Sequence, residues 1–267
     1  MYYPAALPKQ ITLSGLNIEY FDEGTGPVIL YLHSNEGPNP DLALIQALTK
    51  TNRVVMPAMP GFGTSETASF IKTVDDLSYV ALDLLEALDL NDVTVVGSSL
   101  GAWMAVELAT KASPRIARLV LDNPLGLRFK TDPTEKQFPD IYQDLPAQWA
   151  GYFSASQPMD DRDWPSVERD IALRAARGRE MFVKVGWSPY LNNPKLHGRV
   201  HRVTVPTLVL WGDQDKLANR EYADAYVAAL PNAELKVIAG AGHFAFLDKP
   251  EAVASAVLDF AGTKQNA

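Results

Sequence analysis

The stretch Val93-Thr-Val-Val-Gly97-Ser98-Ser99-Leu100-Gly101 constrains this chain more than any other. An apolar, strand-like run leads into G-x-S-x-G, and Trp103, Met104, Val106 and Leu108 follow in a helix-like segment. A strand that turns this sharply into a helix forces the middle residue into a sparsely populated backbone conformation. Side chains at Gly97 and Gly101 would collide with the neighbouring helix and strand. The hydroxyl of Ser99 is thereby lifted to a helix N-terminus, where unpaired N–H groups and the helix dipole favour developing negative charge. Ser98 is a competing hydroxyl, but Val96 and Leu100 would stand at its glycine positions, so the register selects Ser99.

Around this motif the pattern alternates. Ile11–Leu13 and Asn17–Phe21 flank Ser14-Gly15 as a hairpin, and Val28–Leu32 is a continuous apolar run suited to a strand buried on both faces. Then come a helix over Asp41–Leu48, a strand over Arg53–Met56, an amphipathic helix over Val74–Leu88, strands at Val93–Val96 and Leu119–Asp122, and a helix over Leu100–Ala109 between them. The rhythm stops near Gly126 and resumes with a strand at Thr207–Trp211, a helix over Asn219–Leu230, a strand at Glu234–Ile238 and a helix near Pro250–Phe260. This order predicts an α/β fold, a mostly parallel sheet flanked by helices. Residues 1–126 and 203–267 form the catalytic domain, and 127–202 are expected to be an inserted helical cap. Ten of the 25 aromatic residues fall between Arg128 and Val200, which suits both a small core for the insert and a lined substrate pocket.

A serine hydroxyl attacks only when a base accepts its proton. Of the four histidines, His197 and His201 have an i, i+4 spacing that can mimic a metal pair, but no third ligand accompanies them. His243 lies in Gly240-Ala-Gly-His243-Phe, a glycine-rich loop after a strand, where sheets of this kind place their chemistry. It is the expected base. The imidazole needs an orienting carboxylate, for which Asp213, Asp215 and Asp122 all stand just after strands. Transition-state charge on the carbonyl oxygen calls for two N–H donors, and the amide of Leu100, next after the nucleophile, is one.

The landmarks LHSNEG (Leu32–Gly37), PGFGTS (Pro60–Ser65), GSSLG (Gly97–Gly101), WGDQD (Trp211–Asp215) and AGHF (Ala241–Phe244) occur in the order found in the α/β-hydrolase superfamily. Residues 28–122 and 203–260 resemble that superfamily in its capped form. The resemblance implies Asp215 as the acid through W-G-x-x-D, although some members carry it where Asp122 stands; Asp213 is expected to serve its turn through its side chain and Asp122 to cap the chain as it enters the insert. It implies the amide of Asn35 as the second oxyanion donor, with His33 supporting that loop. The sequence departs from the family at Ser34, where glycine is usual, and at Glu36. A carboxylate facing the oxyanion would raise the barrier, so Glu36 is expected to point away or to be paired.

Composition limits the rest. A net charge of −8 without a basic stripe argues against a nucleic-acid partner. The absence of cysteine excludes disulfides and thiolate chemistry. No signal-like start and no apolar run of about 18 residues is present, so a cytoplasmic protein with no membrane partner is expected. No cofactor and no metal are expected, because neither a dinucleotide fingerprint nor a metal constellation occurs. A homodimer is compatible with the sequence. The expected partner is a small-molecule substrate, a partly apolar carboxylic ester cleaved through an acyl-enzyme by Ser99, His243 and Asp215. The same triad also serves C–C bond, lactone and amide hydrolysis or a cofactor-free haloperoxidase side activity. Trp103 and Trp187 are candidates for a C–C hydrolase site. A receptor on the same fold is the alternative of another class.

Overall fold

The computed structural model describes residues 3–132, 135–141, 143, 151–156 and 163–262. β1 (Lys9–Leu13) and β2 (Leu16–Glu23) form the hairpin around Ser14-Gly15, and both turn residues have positive φ. β3 (Val28–Leu32), β4 (Arg53–Pro57), β5 (Val93–Ser98), β6 (Ile116–Asp122), β7 (Thr207–Gly212) and β8 (Ala233–Ile238) complete an eight-stranded sheet in the order β1-β2-β4-β3-β5-β6-β7-β8. β1, β2 and β4 pair antiparallel, and every pairing from β4 to β8 is parallel. β3 has its predicted bounds, and the other strands run one to three residues beyond theirs at one or both ends, because ladder pairing recruits flanking residues without strong propensity of their own.

The helices are α1 (Ala43–Leu48), α2 (Val74–Ala87), α3 (Leu100–Ala109), α4 (Arg169–Gly186), α5 (Arg220–Ala229), α6 (Ala245–Asp248) and α7 (Pro250–Gly262). α2 starts where Thr73 and Asp76 make a reciprocal capping box. Every residue of α3 and of β5 is buried, as an apolar sequence on all sides requires. The core therefore sits around the β5–α3 unit.

The chain order reverses between β3 and β5, since β4 lies outside β3 on one side while β6 to β8 follow β5 on the other. Open parallel sheets gather ligands beyond the carboxyl ends of their strands at such a point. The segments that leave those ends are His33 to Gly37 after β3 and Ser99 after β5.

Between β6 and β7 the described residues contribute no strand, only α4, the helical residues 151–153, two short 3₁₀ turns and one isolated bridge between Gly126 and Asn192. The buried stripe of α4 carries Ala175, Gly178, Met181, Phe182 and Val185. Gly178 lies against Phe62, and Met181 fills the space over Gly61, where a side chain would meet it at 2.9 Å. Among the described residues no helix is long and apolar enough to cross a membrane.

The two elbow glycines are required by space. A Cβ at Gly97 would lie 2.4 Å from the Gly101 carbonyl oxygen, and one at Gly101 would lie 2.0 Å from that of Leu32. Both obstacles are backbone, so neither can swing away. Gly101→Ala is expected to lower stability by about 3 kcal/mol, read as a shifted urea midpoint.

Candidate active site

Ser99 is the N-cap residue of α3 with φ 54° and ψ −111°. It is held in this strained region by its own amide, which donates to the Asp122 carbonyl at 2.8 Å, and by its carbonyl, which accepts from Trp103. Its Oγ lies 2.8 Å from His243 Nε2, and His243 Nδ1 lies 2.8 Å from Asp215 Oδ2. All three side chains are shielded from solvent. The pairing sets the imidazole tautomer: Nδ1–H donates to the carboxylate, which leaves Nε2 to accept the serine proton.

The loops that carry Asp215 and His243 are built to meet. Gly212 ends β7 without a side chain because the Ala241 and Gly242 carbonyls pass within 2.4 Å of where its Cβ would stand. The Gln214 amide donates to the Ala241 carbonyl at 2.8 Å. Asp215 Oδ1 accepts from the amides of Leu217 and Ala218, so the oxygen that does not face the imidazole is also fixed. Asp213, expected to serve its own turn, instead accepts from the Gly240 amide at 2.7 Å and so ties the loop after β7 to the loop of His243.

Sequence reasoning missed Asn123. Its Nδ2 donates to Asp215 Oδ2 at 2.7 Å, the same oxygen that His243 uses, and its Oδ1 accepts from the Gly212 amide at 3.3 Å. It adopts φ 47°, a left-handed conformation that Asn tolerates better than most residues. The only sequence signal was an Asn directly after a buried strand.

On the oxyanion side, the contact of Gly101 with the Leu32 and His33 carbonyls sets the first turn of α3 against the loop that leaves β3. Leu100 occupies that turn, whose N–H groups have no acceptor within the helix. Asn35 is the second residue of a turn closed by the Gly37 amide on the Ser34 carbonyl. His33 ties this loop down: Nδ1–H donates to the Ser34 carbonyl at 2.7 Å, and Nε2 accepts from the Met59 amide at 3.1 Å. Burial lowers its pKa to about 4, although the Ser34 carbonyl works the other way, so the ring is neutral at physiological pH. Glu36 is buried and accepts from the Asn35 side chain, which agrees with the expected pairing.

Asp122 corrects an expectation. Its carboxyl caps nothing at the surface; it is buried beneath the nucleophile, and neither oxygen has a partner at hydrogen-bond geometry among the described residues. Burial raises its pKa to about 8, aided by the nearby charges of Asp215 and Asp248. The Ser98 hydroxyl and the Phe246 backbone pull the other way. The unfolded carboxyl ionises near 3.8, whereas the native one holds its proton to about 8. The group therefore subtracts stability progressively as pH rises between those values. Asp122→Asn is expected to be roughly 2–4 kcal/mol more stable than the parent at pH 7.5 and to lose that advantage by pH 4, as thermal unfolding across this range would read.

The remaining candidates divide. Trp103 is buried, with its indole N–H on Glu107 at 3.1 Å and its ring against Gly126, whereas Trp187 is half exposed beside Tyr190. His197 packs edge-on against Phe129, and no group of three metal-ligating side chains occurs among the described residues. Of the aromatic residues expected in the insert, Tyr142 and Trp149 lie outside the described residues.

Known proteins resemble this chain in sequence and in fold. Residues 27–250 match the family described as alpha/beta hydrolase fold. The 2-hydroxy-6-oxononadienedioate/2-hydroxy-6-oxononatrienedioate hydrolase of Paraburkholderia phymatum is 27% identical over 92% of this chain and 91% of its own. Monoacylglycerol lipase ABHD6 of Mus musculus is 24% identical over 91% of this chain and 78% of its own. Among solved structures, the esterase EaEST from Exiguobacterium antarcticum superposes with a TM-score of 0.76 at 18% identity, covering 96% of this chain and all of that one. That likeness is one of fold.

Proposed function

We propose, since this chain belongs to the alpha/beta hydrolase fold family, that it is a serine hydrolase of carboxylic esters. The observation that carries this reading is the continuous run of hydrogen bonds from Ser99 Oγ through His243 to Asp215, each link 2.8 Å and all of it sealed from water. In this reading His243 Nε2 takes the Ser99 proton as Oγ attacks the ester carbonyl. The amides of Leu100 and Asn35 receive the oxyanion, and two such donors lower the barrier by roughly 3 kcal/mol or more each. His243 then protonates the leaving alcohol, and Asp215 stabilises the imidazolium throughout. Water activated by the same imidazole releases the acid. Residues 127–202 act as the cap that sets acyl and alcohol preference.

A second reading is C–C bond hydrolysis of a ring-fission diketone acid by the same triad. One side chain favours it. Arg174 lies on α4 one turn before Gly178 and two before Met181, the stripe that packs over Phe62 and Gly61. Its Nε is buried with no partner among the described residues. A buried Nε–H donor without a partner on that face suits a substrate carboxylate, and the Paraburkholderia phymatum relative is named for dicarboxylate substrates.

Two measurements decide between them. An alkyl fluorophosphonate is expected to add its mass to the peptide that contains Ser99, and p-nitrophenyl esters of two to eight acyl carbons are expected to turn over. No labelling and no ester turnover would sink the ester reading. A kcat/KM for an anionic ring-fission diketone at least about 100-fold above the best ester would replace it with the second.

A further inference from the structure

Asp248 takes no part in the triad, yet it is the most heavily hydrogen-bonded carboxylate near it. Its Oδ2 accepts from the Gly242 amide at 2.7 Å and the Ala155 amide at 2.9 Å. Its Oδ1 accepts from Ser154 Oγ at 2.6 Å, Ser156 Oγ at 2.5 Å and the Ser156 amide at 3.1 Å. One of these five donors belongs to the residue just before His243; the other four come from the insert.

The same two segments meet twice more. The Phe244 amide donates to the Phe153 carbonyl at 2.6 Å, and the Phe153 ring stands edge-on to the His243 imidazole with centroids 5.7 Å apart. Gly242 has no side chain because a Cβ there would lie 2.8 Å from the Ala155 nitrogen. His243 is thus bracketed by residues 242 and 244, each bonded to the insert or to the carboxylate that holds it. Burial works to raise the Asp248 pKa, but the bonds from Ser154, Ser156, Ala155 and Gly242 outweigh it and hold the group below the usual carboxylate range. Asp248 is therefore ionised at neutral pH, as five converging donors require.

We propose that Asp248 is a positioning residue that joins the insert segment Phe153–Ser156 to the loop of His243, so that the imidazole reaches Ser99 only while the insert is seated. The role rests on the serine-hydrolase reading for its kinetic consequence and on geometry alone for its structural one. It places the insert in the catalytic apparatus, through the base, in addition to any part it plays in shaping a pocket.

Asp248→Asn tests this. An amide presents only one acceptor oxygen, so at least one of the three backbone amides loses its partner whichever way the side chain turns. Small displacements of a catalytic base lower kcat more than binding. The expected result for p-nitrophenyl acetate, a substrate too small to depend on the walls of a pocket, is a fall in kcat of roughly 10- to 100-fold with KM within about twofold. Hydrogen–deuterium exchange is expected to quicken together in peptides covering 153–156 and 240–248, while those covering β3 and β5 keep their protection. If Asp248→Asn fails to fold, Ser154→Ala/Ser156→Ala removes two donors from the insert side alone and is expected to show the same joint quickening, more weakly. Faster exchange confined to 153–156 with kcat unchanged would overturn the proposal. So would a loss that appears only as KM. The exchange result is read without substrate, so it stands or falls separately from the hydrolase reading, which the labelling of Ser99 decides.

Discussion

Ser99→Ala is expected to lower kcat for p-nitrophenyl butyrate by roughly 10³- to 10⁶-fold while leaving the fold intact. The variant deletes one oxygen from a fully enclosed position. It changes neither the backbone bonds that hold residue 99 in its strained conformation nor the imidazole–carboxylate pair behind it. Without the oxygen no acyl-enzyme forms, so a pre-steady-state burst of p-nitrophenol should vanish along with turnover. What survives is whatever the amides of Leu100 and Asn35 contribute to direct attack by water, roughly 10³-fold over the uncatalysed reaction in comparable enzymes. The melting temperature should stay within a few degrees of the parent, since the cavity left is no larger than a hydroxyl. Turnover unchanged by the substitution would remove Ser99 from the mechanism.

The second large effect is expected from Asp215→Asn, a loss in kcat of roughly 10⁴-fold near neutral pH. Asp215 Oδ2 accepts from both His243 Nδ1 and Asn123 Nδ2, while Oδ1 accepts from the Leu217 and Ala218 amides. Four donors suit a carboxylate and cannot suit an amide. The two backbone amides would hold the new side chain's oxygen, which turns its NH₂ toward the imidazole and toward another NH₂. The cheapest escape is for His243 to shift its proton to Nε2, and an Nε2–H cannot accept from Ser99. The loss is thus one of tautomer rather than of shape. Combining Asp215→Asn with Ser99→Ala should cost little beyond Ser99→Ala alone, because the residues act as a unit.

Much of this was legible in the sequence where chemistry and backbone geometry coincide within a few residues. The β5–Ser99–α3 unit is such a place: the glycines, the serine and the apolar flanks all serve one turn. The histidine that meets Ser99 was legible because His243 sits among glycines whose smallness the Gly212 and Ala155 contacts explain. The carboxylate that meets His243 was legible through resemblance, since spacing alone left Asp122 and Asp213 in competition. What escaped were polar residues whose partners are far along the chain. Asn123 meets Asp215 across 92 positions and Asp248 meets Ser154 across 94. Nothing local distinguishes either from an ordinary loop residue. Asp122 was misread for the same reason, because its burial comes from strands and loops that close over it from elsewhere. Trp187 was a candidate on residue type alone; its ring is half exposed and stands beside Tyr190.

The interruption of the sheet between β6 and β7 gives this protein an order of birth. Strands β3 to β6, with Ser99 among them, are made and emerge before Thr207–Gly212 does, because residues 123–206 intervene. Until Thr207–Gly212 emerges, β6 presents an unpaired parallel edge to the cell. The elbow must then hold its strained backbone without the loops that later surround it. The nascent chain is at that stage both catalytically silent and prone to associate through the open edge. His243 follows β8, so the run from Ser99 through His243 to Asp215 closes only after both β7 and β8 have been made. Newly made protein should therefore depend more on chaperones, and on slow decoding before β7 less, than its mature stability would suggest.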